Sequence, residues 1–232
     1  MAAETAFQTN TPAILEHELN QYFPELLKFD STKEMEKSAV YQKIKREVEQ
    51  ILTSVAQENF APKTLEKSDV VRALAWNIER GNRFDGIADA LRNHPRLKNK
   101  ELLLLTELDY GMARSGNRFV ARELARELKL NYAFAPVYIA LQKGSGVESD
   151  APGENTKSLH GLAIFSKYPI RNARAVQLPN GKDKMHGKEK RLGYLRALIA
   201  DIAHPAGEFR AVCVHLDVHC SRKHRQKQMK II

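Results

Sequence analysis

Residues 70–81 read VVRALAWNIERG and residues 102–109 read LLLLTELD, and these two runs decide the fold. Each run is apolar over most of its length, as strands covered on both faces of a sheet are. Between them, four apolar residues recur at helical spacing: Phe84, Ile87, Ala88 and Leu91. A strand, a helix and a strand in this order predict a βαβ unit, whose strands are parallel and joined by a right-handed crossover.

Two polar side chains, Asn77 and Glu107, stand where these predicted strands end. In open α/β sheets, ligands bind outside the carboxyl ends of the strands. A carboxylate there can hold Mg²⁺, which takes a few oxygen ligands from protein and keeps several waters. An amide beside it can orient a metal-bound water or a phosphate oxygen. From this unit alone, the two residues could equally be polar side chains at which strands leave the core.

Four motifs follow one another along the chain: WNIERG (76–81), LTELD (105–109), HGLAIFSKYPI (160–170) and VHLD (214–217). In order and spacing they resemble the endonuclease/exonuclease/phosphatase superfamily, which has the deoxyribonuclease-I-like fold. The resemblance extends from about Val70 to the end of the chain. It implies an α/β four-layer sandwich, with two sheets between helices, of which this chain would hold an incomplete portion.

The resemblance also implies a function, that of a phosphoester hydrolase of the phosphodiesterase or nuclease kind that depends on Mg²⁺ or Mn²⁺. Glu107 would ligate the metal together with Asn77, and Asn77 would also orient phosphate. His215 would stabilise charge on the scissile phosphate. His215 lies on one face of a strand expected over residues 208–216. Without the resemblance, a histidine in such a position is more often a hydrogen-bonded core residue. Asp217 is expected to bind substrate, although it could instead brace the loop that follows.

Three arginines, Arg114, Arg118 and Arg122, are spaced to share one face of a helix expected over residues 117–129. Such a row is usually a solvated face. Arg114 and Arg118 could instead bind a substrate phosphate through paired hydrogen bonds, and Arg114 is therefore a candidate substrate-binding residue. His160 and His186 have no spaced His or Cys partner and are interpreted as surface or loop residues.

The chain departs from the family in one respect, because it contains no Asp-x-Asn and no Asp-His sequence. In complete members, those motifs supply the carboxylate that activates water and the principal histidine. We therefore expect a chain that is truncated at its C-terminus. Its activity is open, and the alternatives are a non-catalytic basic module that binds polyanions and a truncated, inactive homologue.

The formal net charge is +9, and the basic excess lies in residues 69–232. A basic surface favours phosphate-bearing partners, with nucleic acid preferred over lipid or inositol phosphate. A solvated basic surface without a specific partner is equally compatible with this charge. The same alternatives apply to the Lys-rich loop over residues 179–193, which could serve solubility or attract a phosphate backbone.

Residues 1–68 are expected to form a helical extension, and residues 69–232 the catalytic domain. Thr11-Pro12 predicts a helix start, and Pro24 a helix end or kink. Ser31 begins a capping-box pattern. It is followed by a stripe of apolar residues that predicts one helix: Met35, Tyr41, Ile44, Val48, Ile51, Leu52 and Val55. This extension could pack on the main domain or serve as a partner-binding arm.

The sequence favours the cytoplasm as the location. No apolar run approaches the roughly twenty residues that a membrane span needs, and the N-terminus lacks the pattern of a signal peptide. Cys213 and Cys220 are the only cysteines. Because Cys213 falls within an expected strand, a disulfide is not expected, which fits a reducing compartment.

Overall fold

The computed structural model describes residues 15–62, 69–218 and 220–232. In these ranges there are six α-helices: α1 (Phe23–Leu26), α2 (Thr32–Lys37), α3 (Ala39–Thr53), α4 (Phe84–Asn93), α5 (Val120–Leu128) and α6 (Arg222–Met229). The strands are β1 (Ala56–Glu58), β2 (Ala73–Arg80), β3 (Leu102–Tyr110), β4 (Asn131–Ala140), β5 (Leu159–Ser166), β6 (Ile170–Gln177), β7 (Arg191–Gly193), β8 (Arg196–Ile202) and β9 (Phe209–Val214).

These strands form two sheets. The first has the order β1-β4-β5-β3-β2, with β7 also paired to β4. Within it, β2 and β3 are parallel and are connected through α4, which confirms the predicted βαβ unit. The second sheet has the order β6-β8-β9, and its strands are antiparallel. Its strands β8 and β9 are consecutive and antiparallel, and they form a hairpin near residue 205.

Two hydrophobic cores separate the layers. One lies between the helices and the first sheet, and it includes Ile44 of α3, Leu124 of α5 and Leu105 of β3. The other lies between the two sheets and includes Ile164 of β5 and Leu198 of β8. The molecule is therefore an α/β layered sandwich, as expected, with helices on one face of the first sheet and the second sheet on the other.

The chain before β2 differs from the expectation in several places. Residues 1–14, with the expected start at Thr11-Pro12, lie outside the described ranges. A 3₁₀ helix (Leu19–Tyr22) ends before Pro24, and Pro24 itself stands in the first turn of α1, where its missing N–H is not needed, so it marks the change from one helix to the next. The Ser31 cap is confirmed, because its hydroxyl accepts from the Glu34 N–H at 3.2 Å.

A second cap divides the predicted apolar stripe into two helices. Ser38 ends α2, and its hydroxyl accepts from the Tyr41 N–H at the start of α3. After α3, the chain forms β1, which the sequence analysis did not foresee and which pairs with β4. The segment before residue 69 therefore contributes a strand to the first sheet. The division into an extension and a catalytic domain at residues 68/69 stays a prediction.

Both cysteines are free, and Cys213 is buried in β9, as expected. No helix in the described ranges has the length and apolar character needed to cross a lipid bilayer.

Candidate active site

Irregular strand ends shape the site at the carboxyl edge of β2 and β3. The pairing of β2 with β3 shifts between Asn77 and Arg80, and the pairing of β3 with β5 shifts between Thr106 and Leu108. Glu107, the residue within the second shift, has a backbone φ of +59°. Bulges of this kind re-aim a side chain next to a functional site. In the regular pairing of β2 with β3, Asn77 lies opposite Thr106. The irregularity brings the Glu107 carboxylate to Asn77 as well.

Three side chains that the sequence nominated meet here. The Asn77 amide donates to Glu107 Oε1 at 2.9 Å. His215, in the segment after β9, places Nε2 at 3.3 Å from the Asn77 amide nitrogen and 3.4 Å from Glu107 Oε1. An amide from β2, a carboxylate from β3 and an imidazole from the segment after β9 thus form one cluster.

The cluster is electrostatically coupled. The hydrogen bond with His215, with a further one from Asn77, lowers the pKa of Glu107 to about 2 against the cost of burial. The same hydrogen bond with Glu107 raises the pKa of His215 above its usual value. His215 Nδ1 lies 3.1 Å from the Leu216 carbonyl, so this nitrogen donates and Nε2 faces the site. With Nδ1 as the donor, Nε2 carries a proton only in the imidazolium form, which the raised pKa of His215 favours.

Arg80 is a member of the site that the sequence analysis missed. Its guanidinium lies 3.1 Å from Glu107 Oε2 and 2.9 Å from Glu148 Oε1. Like Glu107, Arg80 has a positive backbone φ, +66°. Its position within the WNIERG motif was the signal that could have found it. Arg80 neutralises the carboxylate and links it to the loop between β4 and β5.

Arg114 does not have the position expected of a substrate-binding residue. Its side chain is only 2% exposed and is paired with Asp109 at 2.7 Å, Glu189 at 3.0 Å and Glu148 at 3.2 Å. These carboxylates occupy the guanidinium, so the structure does not support a direct contact with phosphate. Arg114 instead holds together acidic residues from three segments.

The predicted arginine row does not share one helix. Arg114 lies in a 3₁₀ turn (Ala113–Ser115), and α5 begins only at Val120. Arg118 pairs with Glu123 and stacks its guanidinium over the Phe84 ring, 4.5 Å from the centroid. The helix expected over residues 117–129 is confirmed as α5, but the shared face of the three arginines was wrong, because a 3₁₀ turn and the left-handed Gly116 separate Arg114 from that helix.

A buried carboxylate and a histidine form a second polar pair below the cluster. Asp109 accepts from His160 Nδ1 at 2.7 Å. Burial alone would raise the pKa of Asp109, but the hydrogen bonds from His160 and Arg114 outweigh it and hold the pKa below its usual value. His160 is nearly buried in β5 and lines the cavity beside Glu107, so its interpretation as a surface or loop residue was wrong.

The cluster opens into a cavity of about 520 Å³, whose other wall is the Lys-rich loop. Asp217 lines this cavity but is 6% exposed, and its carboxylate accepts from the Gly181 N–H at 2.9 Å. Lys184 lies 3.6 Å from the same carboxylate. Asp217 thus braces the Lys-rich loop that precedes it, whereas the alternative reading placed this role on the loop that follows, and its predicted substrate contact stays a prediction.

A divalent cation would find one carboxylate, Glu107, and one amide oxygen, that of Asn77, in the cluster. The Asn77 oxygen already accepts from the Glu79 N–H at 3.0 Å. In the described part of the chain, no group of three His, Cys, Asp or Glu side chains is placed to enclose a metal. This donor set does not fit a closed zinc cage. It fits Mg²⁺ in sites where water and substrate phosphate supply most ligands.

Comparison with known proteins gives two similar solved structures. An endonuclease/exonuclease/phosphatase from Beutenbergia cavernae has 17% sequence identity and a TM-score of 0.47, over 69% of this chain and 42% of that one. An endonuclease/exonuclease/phosphatase family protein from Leptotrichia buccalis has 11% identity and a TM-score of 0.46, over 69% of this chain and 62% of that one. This chain thus spans less than two thirds of either. No family model and no curated protein matches it.

Proposed function

We propose that the protein is a phosphoester hydrolase that depends on Mg²⁺ or Mn²⁺ and acts on phosphodiesters, with nucleic acid as the substrate class. The observation that carries the proposal is the convergence of Asn77, Glu107 and His215 beside a basic cavity. Three of the four motifs that resemble the endonuclease/exonuclease/phosphatase superfamily contribute these residues, one each. The proposal places the protein in the cytoplasm, in keeping with its free cysteines.

Each residue has a role that follows from its contacts. Glu107 stays ionised at neutral pH, since its pKa is about 2, and is the metal ligand. Asn77 orients that carboxylate through its amide and has a face open to solvent for a phosphate oxygen. Asn77 as a second ligand remains part of the proposal. When bound, the metal would supply Lewis-acid polarisation of a phosphoryl oxygen.

His215 would act on the charge that builds on phosphate oxygen. Its raised pKa favours a protonated Nε2, which can donate to a developing negative charge once substrate displaces the contact with Glu107.

The experiment is cleavage of a single-stranded oligonucleotide and of bis(4-nitrophenyl) phosphate by the wild type, Glu107→Gln and His215→Gln. Loss of a ligand or of a charge-stabilising donor should lower kcat/KM on the order of 100-fold or more in each variant. Glu49→Gln, in an exposed pair with Lys45 on α3, is the matched control and should retain full activity.

The alternative is a basic module that binds polyanions without chemistry, and the cavity lysines favour it as the second candidate. Such a module would bind oligonucleotides in a salt-dependent manner and with equal affinity in EDTA, with Mg²⁺ and in the Glu107→Gln variant. Wild-type protein that binds in this way and cleaves neither substrate with Mg²⁺ or Mn²⁺ would refute the hydrolase proposal.

A further inference from the structure

Arg196 is a buried arginine whose charge has no partner in the described part of the chain. Its side chain is 4% exposed, and its Nε makes no hydrogen bond. Arg80 and Arg122 also have a buried Nε without hydrogen-bond geometry, but each lies within 3 Å of a glutamate oxygen. No described carboxylate pairs with Arg196. Burial lowers the pKa of its guanidinium, the direction expected where solvation is lost without compensation.

The position of Arg196 on β8 explains its burial. Alternate residues of a strand share a face, so Arg196 is on the same side as Leu198 and Ala200. Cys213 stands opposite Leu198, and its thiol donates to the Leu105 carbonyl of the first sheet at 3.3 Å. This face of β8 therefore points at the first sheet. A charged residue here replaces the apolar side chain that the core would otherwise take.

Arg196 lines the same cavity as Glu107 and His215, and its neighbours there are basic. The Lys-rich loop contributes three lysines to the lining, namely Lys182, Lys184 and Lys188. The acidic side chains of the lining already have partners. Asp183 accepts from Thr32, Glu189 from Arg114 and Arg191, and Asp217 from Gly181. Lys184 lies 3.6 Å from Asp217, whereas Lys182, Lys188 and Arg196 have no ion pair in the described part of the chain, and Arg196 is already buried.

We propose that Arg196 anchors a second phosphate-binding subsite, separate from the Asn77–Glu107–His215 cluster, which takes a phosphate of the substrate other than the one that is cleaved. Phosphate binding at Arg196 does not depend on the proposed function. The claim that this phosphate belongs to a substrate that is cleaved does rest on it. An unpaired arginine with a buried Nε is costly to the free protein, and a phosphate offers two oxygens that can accept a bidentate pair of hydrogen bonds from the planar guanidinium. The second phosphate could belong to a nucleic-acid backbone or to a small bisphosphate.

The first test is metal-free binding of inorganic phosphate, measured by calorimetry in EDTA on the wild type, Arg196→Met and Arg174→Met. Arg174 is exposed on the neighbouring strand β6, so its variant removes the same charge from the surface. We expect the Kd for phosphate to rise roughly tenfold or more in Arg196→Met and to stay unchanged in Arg174→Met. Equal affinity in the wild type and Arg196→Met would overturn the subsite, as would no binding by the wild type.

The thermal stability of the same variants gives an independent readout. Arg196→Met removes an unpaired buried charge, so its Tm without phosphate should equal or exceed that of the wild type, and phosphate should no longer raise it. A large fall in Tm, with the phosphate-induced rise intact in the folded fraction, would contradict the proposal. Arg196→Lys keeps the charge but loses the planar fork, and we expect several-fold weaker binding. Wild-type affinity in that variant would count against a guanidinium subsite.

A second experiment distinguishes the two sources of the phosphate. In EDTA, the probes are a thymidine dinucleotide with one phosphodiester, the same dinucleotide with a terminal 5′-phosphate, and pyrophosphate. A nucleic-acid source predicts that the wild type prefers the phosphorylated dinucleotide and that Arg196→Met loses this preference. A small bisphosphate source predicts that only pyrophosphate binding depends on Arg196. A preference that persists in Arg196→Met would overturn the proposal.

Glu107→Gln separates the two proposals. It should abolish metal-dependent hydrolysis while it retains Arg196-dependent phosphate binding. Hydrolysis that survives in Glu107→Gln refutes the proposed function. It does not affect the subsite, which is tested by the dependence of phosphate binding on Arg196. Phosphate binding indifferent to Arg196, in a protein that hydrolyses phosphodiesters normally, refutes the subsite alone.

Discussion

At the scale of single residues, charge pairing is the main feature of the site. His215 and Glu107 each shift the pKa of the other in the direction that favours the ionised pair. Arg80, Glu148 and Arg114 extend this pairing from the open cluster into the protein interior. Substitutions within this chain of charges should therefore have very different effects from substitutions of exposed pairs.

The His215–Glu107 pair should make stability depend on pH in a defined window. Below pH 6.5, the ordinary pKa of histidine, His215 is charged in both the folded and the unfolded protein, and its contribution to the free energy of unfolding is complete. This contribution is lost as the pH rises through the raised pKa of His215 in the folded protein. Glu107 contributes above pH 4.5, and its stabilisation is lost as pH falls towards about 2. The unfolding free energy of the wild type minus that of His215→Gln should therefore be largest between these limits.

Urea denaturation from pH 3 to pH 9 measures this difference. The exposed His94 offers a control, and His94→Gln should show no maximum of this kind. A difference that is flat across the range would show that the pair does not form in solution.

Arg114→Met tests the interior end of the charge network. The variant leaves Asp109 and Glu189 buried with one partner fewer, which should cost about 3–5 kcal/mol in the free energy of unfolding. Arg118 is 40% exposed where it pairs with Glu123, so Arg118→Met should cost less than about 1 kcal/mol. Chemical denaturation of both variants makes the comparison, and similar losses would contradict it.

Sequence patterns predicted Asn77, Glu107 and His215 but could not predict Arg80 or the burial of Arg114. Asn77 and Glu107 lie near the carboxyl ends of the neighbouring strands β2 and β3, and His215 follows β9, so the topology places all three near one another and the register shifts complete the contact. The position of Arg114 depends on carboxylates from β3, the β4–β5 loop and the Lys-rich loop, which are 5 to 75 positions away in the chain. The spacing of the arginines within one expected helix contains no information about carboxylates that lie in other segments of the chain.

At the scale of elements, the turn from β2 to α4 connects the site to the helical layer. Gly81 has a φ of +77°, and a Cβ at this position would lie 2.6 Å from Val120 Cγ1 of α5. The turn thus requires a glycine for two reasons, its backbone conformation and its close approach to a buried side chain. Periodicity predicted the strand and the helix here, but the strand begins at Ala73 and not at Val70.

Gly81→Ala should therefore destabilise the protein by about 1–3 kcal/mol. Gly86, in the first turn of α4, has no atom within 4 Å of where its Cβ would be, so Gly86→Ala should stabilise by about 0.5–1 kcal/mol. Opposite signs in urea denaturation are the expected result. A neutral Gly81→Ala would show that the turn can relax away from Val120.

The short strands β1 and β7 were beyond prediction for a physical reason. Each has three residues, and each is held mainly by its pairing with β4 rather than by its own pattern. The same applies to the register shifts at Asn77 and Glu107, which arise from contacts between strands. Long, strongly periodic elements were predictable, whereas elements defined by their neighbours were not.

At the scale of the whole molecule, the chain before β2 helps to hold the Lys-rich loop in place. Lys190 Nζ donates to the carbonyls of Leu27 and Phe29, at 2.9 Å and 2.7 Å, and to Asp30 at 2.8 Å. Asp183 of the same loop accepts from the Thr32 N–H at 2.9 Å. A wall of the cavity therefore depends on residues that lie more than 140 positions earlier.

Lys190→Met should loosen this wall without unfolding the protein. Amide exchange in residues 181–190 should become roughly tenfold faster, since a charge-assisted set of hydrogen bonds is lost. Lys188→Met in the same loop is the control, and it should leave exchange unchanged. Mass-spectrometric exchange resolves both peptides, and equal rates in the two variants would show that Lys190 does not hold the loop.

β2 is an edge strand of the first sheet, and Asn77 is exposed on it. The proposed reaction centre therefore lies at a solvent-exposed edge of the molecule. A nucleic-acid strand could bind there along its length, and a free end would not have to enter the site first. A covalently closed ring of single-stranded DNA should then be cut about as fast as a linear strand of equal length, whereas an intact ring after the linear strand is consumed would argue for entry by an end.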